Sequence, residues 1–211
     1  MPHPSLANPR TFKAGFDHVS KSDPVLRPIL EKRGILRFAL QGELFESVVE
    51  SILSQQLAGA AADSIISKVR GIYPEGKLSA KSINRTRLPT LRKAGVSPQK
   101  VTYLKDLSSR VLDGRLDLES LRDEPDEKVI EALDEVKGIG RWTAQMVLIF
   151  TLGRPDVLPV DDYGIKTSAQ EVYGLKSLPD GKTLEALGRS WHPFSTVASL
   201  YLWRHKEGAG P

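Results

Sequence analysis

Along most of this chain apolar residues recur at spacings of three and four, as in Leu44, Val48, Val49, Ile52 and Leu53, then Ile65, Ile66 and Val69, then Val129, Leu133 and Val136. That period places them on one face of an α-helix, and the alternation of a half-buried strand is scarce. Between the periodic stretches stand Arg33-Gly34, Ala94-Gly95-Val96-Ser97-Pro98, Asp113-Gly114, Gly138-Ile139-Gly140, Gly153-Arg154-Pro155 and Pro179-Asp180-Gly181, which read as turns or helix ends. The pattern predicts an all-α fold of about ten helices joined by short loops. At 211 residues the length suits one domain or two small lobes sharing a cleft. The early prolines and sparse apolar anchors predict loosely held ends at 1–16 and 207–211.

Cysteine is absent, which excludes disulfides, thiolate-bound zinc, iron-sulfur clusters and a cysteine nucleophile. No apolar run approaches the ~20 residues that cross a bilayer, and MPHPSLANPR lacks the apolar stretch of a secretory signal. The expectation is an intracellular protein with no membrane partner. The four histidines, His3, His18, His192 and His205, lack metal-ligand spacing, and no serine sits in a nucleophile elbow.

The net charge of +4 hides a strong sorting. From Lys77 to Arg115 ten Lys/Arg face only Asp106 and Asp113, a net of +8, whereas Leu116 to Glu135 carries nine Asp/Glu against Arg122 and Lys128, a net of −7. Such a chain is expected to be basic where it faces a polyanion and acidic on an outer helix.

Two segments carry chemistry. In EVKGIGRWTAQMVLIF, Gly138 and Gly140 permit a tight turn around Ile139, the expected buried anchor, with the next helix's N-H groups pointing outward. A helix N-terminus of that kind attracts phosphate, and Lys137 and Arg141 add charge beside it. In LPVDDYGIK, Asp161-Asp162 stands at a loop-to-helix transition. One aspartate can cap the helix while the other faces a cleft, where an ionised carboxylate stabilises positive charge on a sugar or activates water during glycosidic cleavage.

Together SILSQQL, the 136–140 hairpin and LPVDDYGIK with WHPFSTVASLYLWR, spread from about Leu44 to Arg204, resemble the helix-hairpin-helix superfamily of DNA glycosylases. The branch they resemble is that of the 3-methyladenine DNA glycosylases of alkylation repair. The resemblance implies one catalytic unit with two helical lobes, about 1–40 plus 155–211 and about 41–154, and an active-site cleft between them. It implies a monomer acting on double-stranded DNA that contains alkylated bases, flipping a base and hydrolysing its N-glycosidic bond to leave an abasic site. The expected compartment is the bacterial cytoplasm with its nucleoid or the eukaryotic nucleus. The alternative is a noncatalytic helix-hairpin-helix DNA-binding module.

By residue match the catalytic aspartate is Asp162, with Asp161 as the alternative or the helix cap. The base pocket is Trp142, Met146, Tyr163 and Trp203, whose aromatic faces suit cationic alkylated purines. The wedge that fills the gap left by a flipped base is Gln56, with Leu57 as the alternative. Backbone contacts fall to Lys137, Gly138, Ile139, Gly140, Arg141 and Thr143, with Lys100 from a second hairpin-like unit, LRKAGVSPQKVTYL. Members that also cut the backbone carry a lysine nucleophile two residues past the hairpin; here that position is Trp142, and Lys166 is misplaced to substitute. The resemblance implies no cofactor and no iron-sulfur cluster, only a structural monovalent cation on the Asp134, Val136 and Ile139 carbonyls. Two departures stand out. Ala58 replaces a histidine frequent in relatives, and Ser195 replaces an arginine, which is expected to loosen packing near the carboxylate loop.

Overall fold

The computed structural model describes residues 3–57 and 59–206. Among them there is no strand, and twelve α-helices account for the architecture: α1 Pro9–Ser22, α2 Arg27–Arg33, α3 Leu44–Ser54, α4 Gly59–Arg70, α5 Ala80–Arg85, α6 Leu88–Lys93, α7 Pro98–Leu112, α8 Asp126–Asp134, α9 Arg141–Phe150, α10 Tyr163–Val172, α11 Gly181–Gly188 and α12 Ser195–Lys206. Short 3-10 turns lie at Pro74–Gly76, Ser120–Arg122 and Arg189–Trp191. The chain divides into two compact units, Met1–Leu40 with Leu148–Pro211, and Gln41–Val147. No described helix is long and apolar enough to cross a membrane.

From Leu6 onward the amino-terminal segment is anchored, against the expectation of a loose end at 1–16. Asn8 accepts the Arg10 N-H at 2.9 Å and Pro9 opens α1, where its missing N-H costs nothing. Leu6 and Phe12 are buried, and the Leu6 N-H donates to the Gly153 carbonyl at 2.8 Å. The other expected loose end, 207–211, lies outside the described residues, as does Ala58.

The core of the 1–40/148–211 unit gathers Leu6, Phe12, Val19, Leu26 and Leu30 with Ile165, Ala169, Leu184 and Trp191 and with Val197, Ala198, Tyr201 and Leu202 of α12. One carboxylate organises its polar groups. Asp23 is buried; Oδ1 accepts the Val25 and Leu26 N-H groups at 2.9 Å, and Oδ2 accepts Trp191 Nε1 at 2.7 Å and the Tyr173 hydroxyl. A buried charge persists only when its lone pairs are filled in this way. Burial, and then the hydrogen bond to Asp23 and its charge, push the Tyr173 hydroxyl far above its ordinary pKa.

In the 41–147 unit α7 packs against α3, α5 and α6, presenting Val101, Leu104 and Leu107 to the interior. Its lysines serve backbone carbonyls. Lys105 Nζ donates to the Ile83, Asn84 and Thr86 carbonyls at 2.9, 2.7 and 2.6 Å, closing the end of α5. Arg70 joins Glu46, Glu50 and the Gly76 carbonyl at 2.8–2.9 Å, and Glu46 accepts the Leu78 N-H at 2.8 Å. The basic run is therefore partly consumed in building the fold.

Asp23→Ala strands the Trp191 and Tyr173 donors in the interior and is expected to lower unfolding free energy by about 3 kcal/mol. Urea unfolding followed by tryptophan fluorescence measures it, and a loss under about 1 kcal/mol means that water replaces the carboxylate.

Candidate functional site

The hairpin forms where glycine was expected to shape it. The chain leaves α8 with the Val136 N-H on the Leu133 carbonyl, and the Ile139 N-H then closes on the Val136 carbonyl, each at 3.0 Å. Gly138 has φ +80°, and a Cβ there would lie 2.1 Å from the Tyr103 ring, so backbone geometry and packing both demand glycine. Ile139 is buried beneath the turn, and α9 begins two residues later with first-turn N-H groups that have no acceptor within the helix.

Three residues outside the hairpin hold it. Asp106 Oδ2 accepts the Lys137 N-H and Arg110 Nε, each at 3.0 Å. The Tyr103 ring supports Gly138, and Gln55 Nε2 donates to the Gly138 carbonyl at 2.7 Å. Sequence reasoning missed all three roles. A signal existed for Asp106, one of only two acids among ten cations.

Gln56, Leu57, Lys100, Gly138, Trp142 and Thr143 line one open concavity of about 620 Å³ with Gln55, Ser97, Gln99 and Tyr103. The wedge candidates thus share a surface with the hairpin. Gln56 is exposed in the left-handed region at φ +57°, Leu57 is partly exposed at 38%, and the Trp142 ring is 45% exposed. Met146 is partly buried one turn further along α9. Arg141 forms an exposed bidentate pair with Glu127 at 2.7 and 2.9 Å, and such pairs are worth little in water. The Lys100 expectation needs correction: its Nζ is committed to the Leu53 and Gln55 carbonyls at 2.6 and 2.7 Å. The ends of α3 lack donors for those carbonyls, and the lysine stem reaches them from the first turn of α7.

The carboxylate loop lies in the other unit. Asp162 caps α10, its Oδ1 accepting the Ile165 N-H at 2.8 Å and Trp203 Nε1 at 2.9 Å, and the residue is only 9% exposed. The suggestion of Asp161 as the helix cap is therefore corrected. Capping requires the residue directly before the first helical position, and Asp161 stands one too early, exposed and 3.5 Å from Lys166 Nζ. Trp203 ends a column of stacked rings: Phe12–Phe38 at 6.2 Å, Phe38–Phe150 at 6.4 Å and Phe150–Trp203 at 5.8 Å between centroids. Gly164 was also missed. A Cβ there would lie 3.1 Å from Asp162 Oδ1 and 3.2 Å from Trp203 Cδ1, so glycine admits the indole to the carboxylate. Tyr163, the first residue of α10, is 71% exposed.

Ser195 does not loosen its surroundings. It is buried, and its N-H and hydroxyl both donate to Asp156 Oδ1, at 3.1 and 2.6 Å, while Asp156 Oδ2 meets His192 Nδ1. Among the described residues no group of three or more His, Asp or Glu side chains is assembled to hold a metal ion.

The sequence profile of the HhH-GPD superfamily of base excision DNA repair proteins matches residues 49–193. The alkylbase DNA glycosidase-like protein mag2 of Schizosaccharomyces pombe is 31% identical over 210 residues, covering 93% of this chain and 97% of that protein. DNA-3-methyladenine glycosylase 1 of the same yeast is 31% identical over 164 residues, 77% of this chain and 72% of that protein. Among solved structures, the Schizosaccharomyces pombe 3-methyladenine DNA glycosylase in complex with abasic DNA superimposes with a TM-score of 0.84 at 29% identity, covering 93% of this chain and 98% of that one. A DNA-3-methyladenine glycosidase from Bacillus halodurans gives a TM-score of 0.83 at 35% identity, covering 99% and 94%.

Burial pushes the Asp106 carboxyl up, but the Lys137 N-H and Arg110, with their charges, outweigh it and hold the pKa below the usual aspartate value. Stability from a carboxyl depressed by folding is complete above its unfolded value of about 3.9 and is lost as pH falls through the folded value. Asp106→Asn is expected to cost about 2 kcal/mol near neutral pH, with the gap to wild type closing below about pH 4. Urea titrations across that range measure it; a gap that stays constant refutes the contribution of charge.

Proposed function

Because the chain belongs to the HhH-GPD superfamily of base excision DNA repair proteins, we propose that it is a monofunctional DNA glycosylase that excises alkylated bases from duplex DNA. The observation that carries this reading is Asp162, a nearly buried carboxylate fixed by the Ile165 N-H and the Trp203 indole. Capping α10 accounts for the Ile165 contact alone; the Trp203 N-H aimed at the same oxygen fixes the carboxylate's orientation as well. Binding to DNA rests on the hairpin: the α9 N-terminus, with Gly138, Ile139, Gly140 and Thr143, takes a phosphate, and Lys137 and Arg141 stand beside it.

Cleavage of an N-glycosidic bond moves the bonding electrons onto the departing base and leaves positive charge on the sugar. A carboxylate already oriented by two donors stabilises that charge without reorganising at the moment of reaction, and it can direct a water at the anomeric carbon. Alkylated purines leave as better leaving groups when cationic, and Trp142, Tyr163 and Trp203 offer π-faces that attract a cation by ~0.5 to 2 kcal/mol. Gln56, with Leu57, fills the gap in the stack. The Asp134, Val136 and Ile139 carbonyls are the groups that would hold a monovalent cation. The Val136 carbonyl already accepts the Ile139 N-H, which its second lone pair tolerates. When bound, the cation supplies positive charge beside the phosphate.

Asn has the same shape as Asp and is as good a helix cap, so Asp162→Asn removes charge while keeping an acceptor for Ile165 and Trp203. Free-base release from a methylated duplex is expected to fall at least about 100-fold, with duplex affinity kept. Undiminished release in the variant overturns the catalytic assignment. With Trp142 two residues past Gly140, that position carries no amine to form a Schiff base. Borohydride treatment during turnover is expected to yield no covalent protein-DNA adduct, and a trapped adduct overturns the monofunctional reading.

A further inference from the structure

The end of α3 is pinned from two sides. Lys100 Nζ donates to the Leu53 and Gln55 carbonyls at 2.6 and 2.7 Å, and the Gln55 side chain donates to the Gly138 carbonyl at 2.7 Å. Directly after this junction Gln56 adopts φ +57°, a conformation rare for a residue with a Cβ, which persists only where the surroundings determine it. The same tip borders the 620 Å³ concavity beside the hairpin. Burial lowers the Lys100 ammonium's pKa, as expected of a cation withdrawn from water to serve carbonyls.

We propose that Lys100 is a positioning residue for base extrusion: its ammonium clamps the end of α3 so that the Gln56–Leu57 tip is held ready beside the hairpin. A tip ordered before it meets DNA loses little further conformational freedom on insertion, and that saving acts only when a paired, stacked base must be displaced. The proposal rests on the reading of the 56–57 tip as the wedge. Lys105 supplies an internal comparison. It closes α5 with the same chemistry, through the Ile83, Asn84 and Thr86 carbonyls, but it borders no wedge candidate.

The test is single-turnover excision of one alkylated base from two duplexes, one with its normal partner opposite and one with an abasic analogue opposite. Both are run on the same preparation, so any unfolded fraction cancels in the ratio of rates. Lys100→Met is expected to slow the paired substrate about tenfold more than the unpaired one, Lys100→Arg to recover most of the ratio, and Lys105→Met to leave the ratio at its wild-type value. An unchanged ratio in Lys100→Met overturns the clamp, as does an equal change in Lys105→Met. Gln56→Ala reports separately on the wedge: a wild-type ratio there refutes Gln56 as the inserting residue, whatever Lys100→Met does.

Discussion

A chain built without a strand in its described residues has no sheet ladder to absorb backbone polar groups, and every helix leaves N-H groups at its start and carbonyls at its end without partners inside the helix. With twelve helices among the described residues, those ends dominate the polar accounts of the fold. Side chains meet many of them. Asn8, Ser97, Asp162 and Asp180 accept first-turn N-H groups, and Lys100 and Lys105 donate to carbonyls at the ends of α3 and α5. The candidate site draws on this same population. Asp162 caps α10 and accepts the Trp203 indole N-H with the same oxygen, and Lys100 closes the end of α3.

Sharing groups between folding and chemistry gives orientation at small extra entropic cost. The Trp203 indole is set by the Phe150 ring and the rings behind it, so the N-H that reaches Asp162 is placed by apolar packing. Gly164 leaves the space through which that contact is made. A fixed dipole beside a carboxylate is the kind of arrangement that electrostatic catalysis requires.

What could be read from the residues alone follows from how local each signal is. Gly138-Ile139-Gly140 was legible because a tight turn, a buried anchor and a helix start are decided within a few residues, and the structure adds the supports from outside: the Tyr103 ring that makes Gly138 obligatory, Asp106 and Gln55. The helical class was legible from periodicity for the same reason. The cap was misassigned between Asp161 and Asp162 because it depends on helix register to a single residue, which the sequence leaves open by one or two. Lys100 was misread because its partners lie 45 and 47 residues earlier, and nothing local distinguishes a lysine bound for a carbonyl from one bound for a phosphate. The early prolines and sparse apolar anchors suggested fraying, but Pro9 opens α1 directly after the Asn8 cap, and Phe12 and Val19 anchor that helix in the core.

The pair between Arg141 and Glu127 has a kinetic meaning. Glu127 is a tethered counterion, always at high local concentration, so an anion that reaches Arg141 must exchange with it. That exchange moves one carboxylate aside and frees fewer mobile ions from solution than an unpaired arginine would. Loose, badly oriented encounters with a polyanion therefore gain little from such an arginine. A surface ion pair that adds almost nothing to stability can in this way still set how readily an arginine exchanges its counterion.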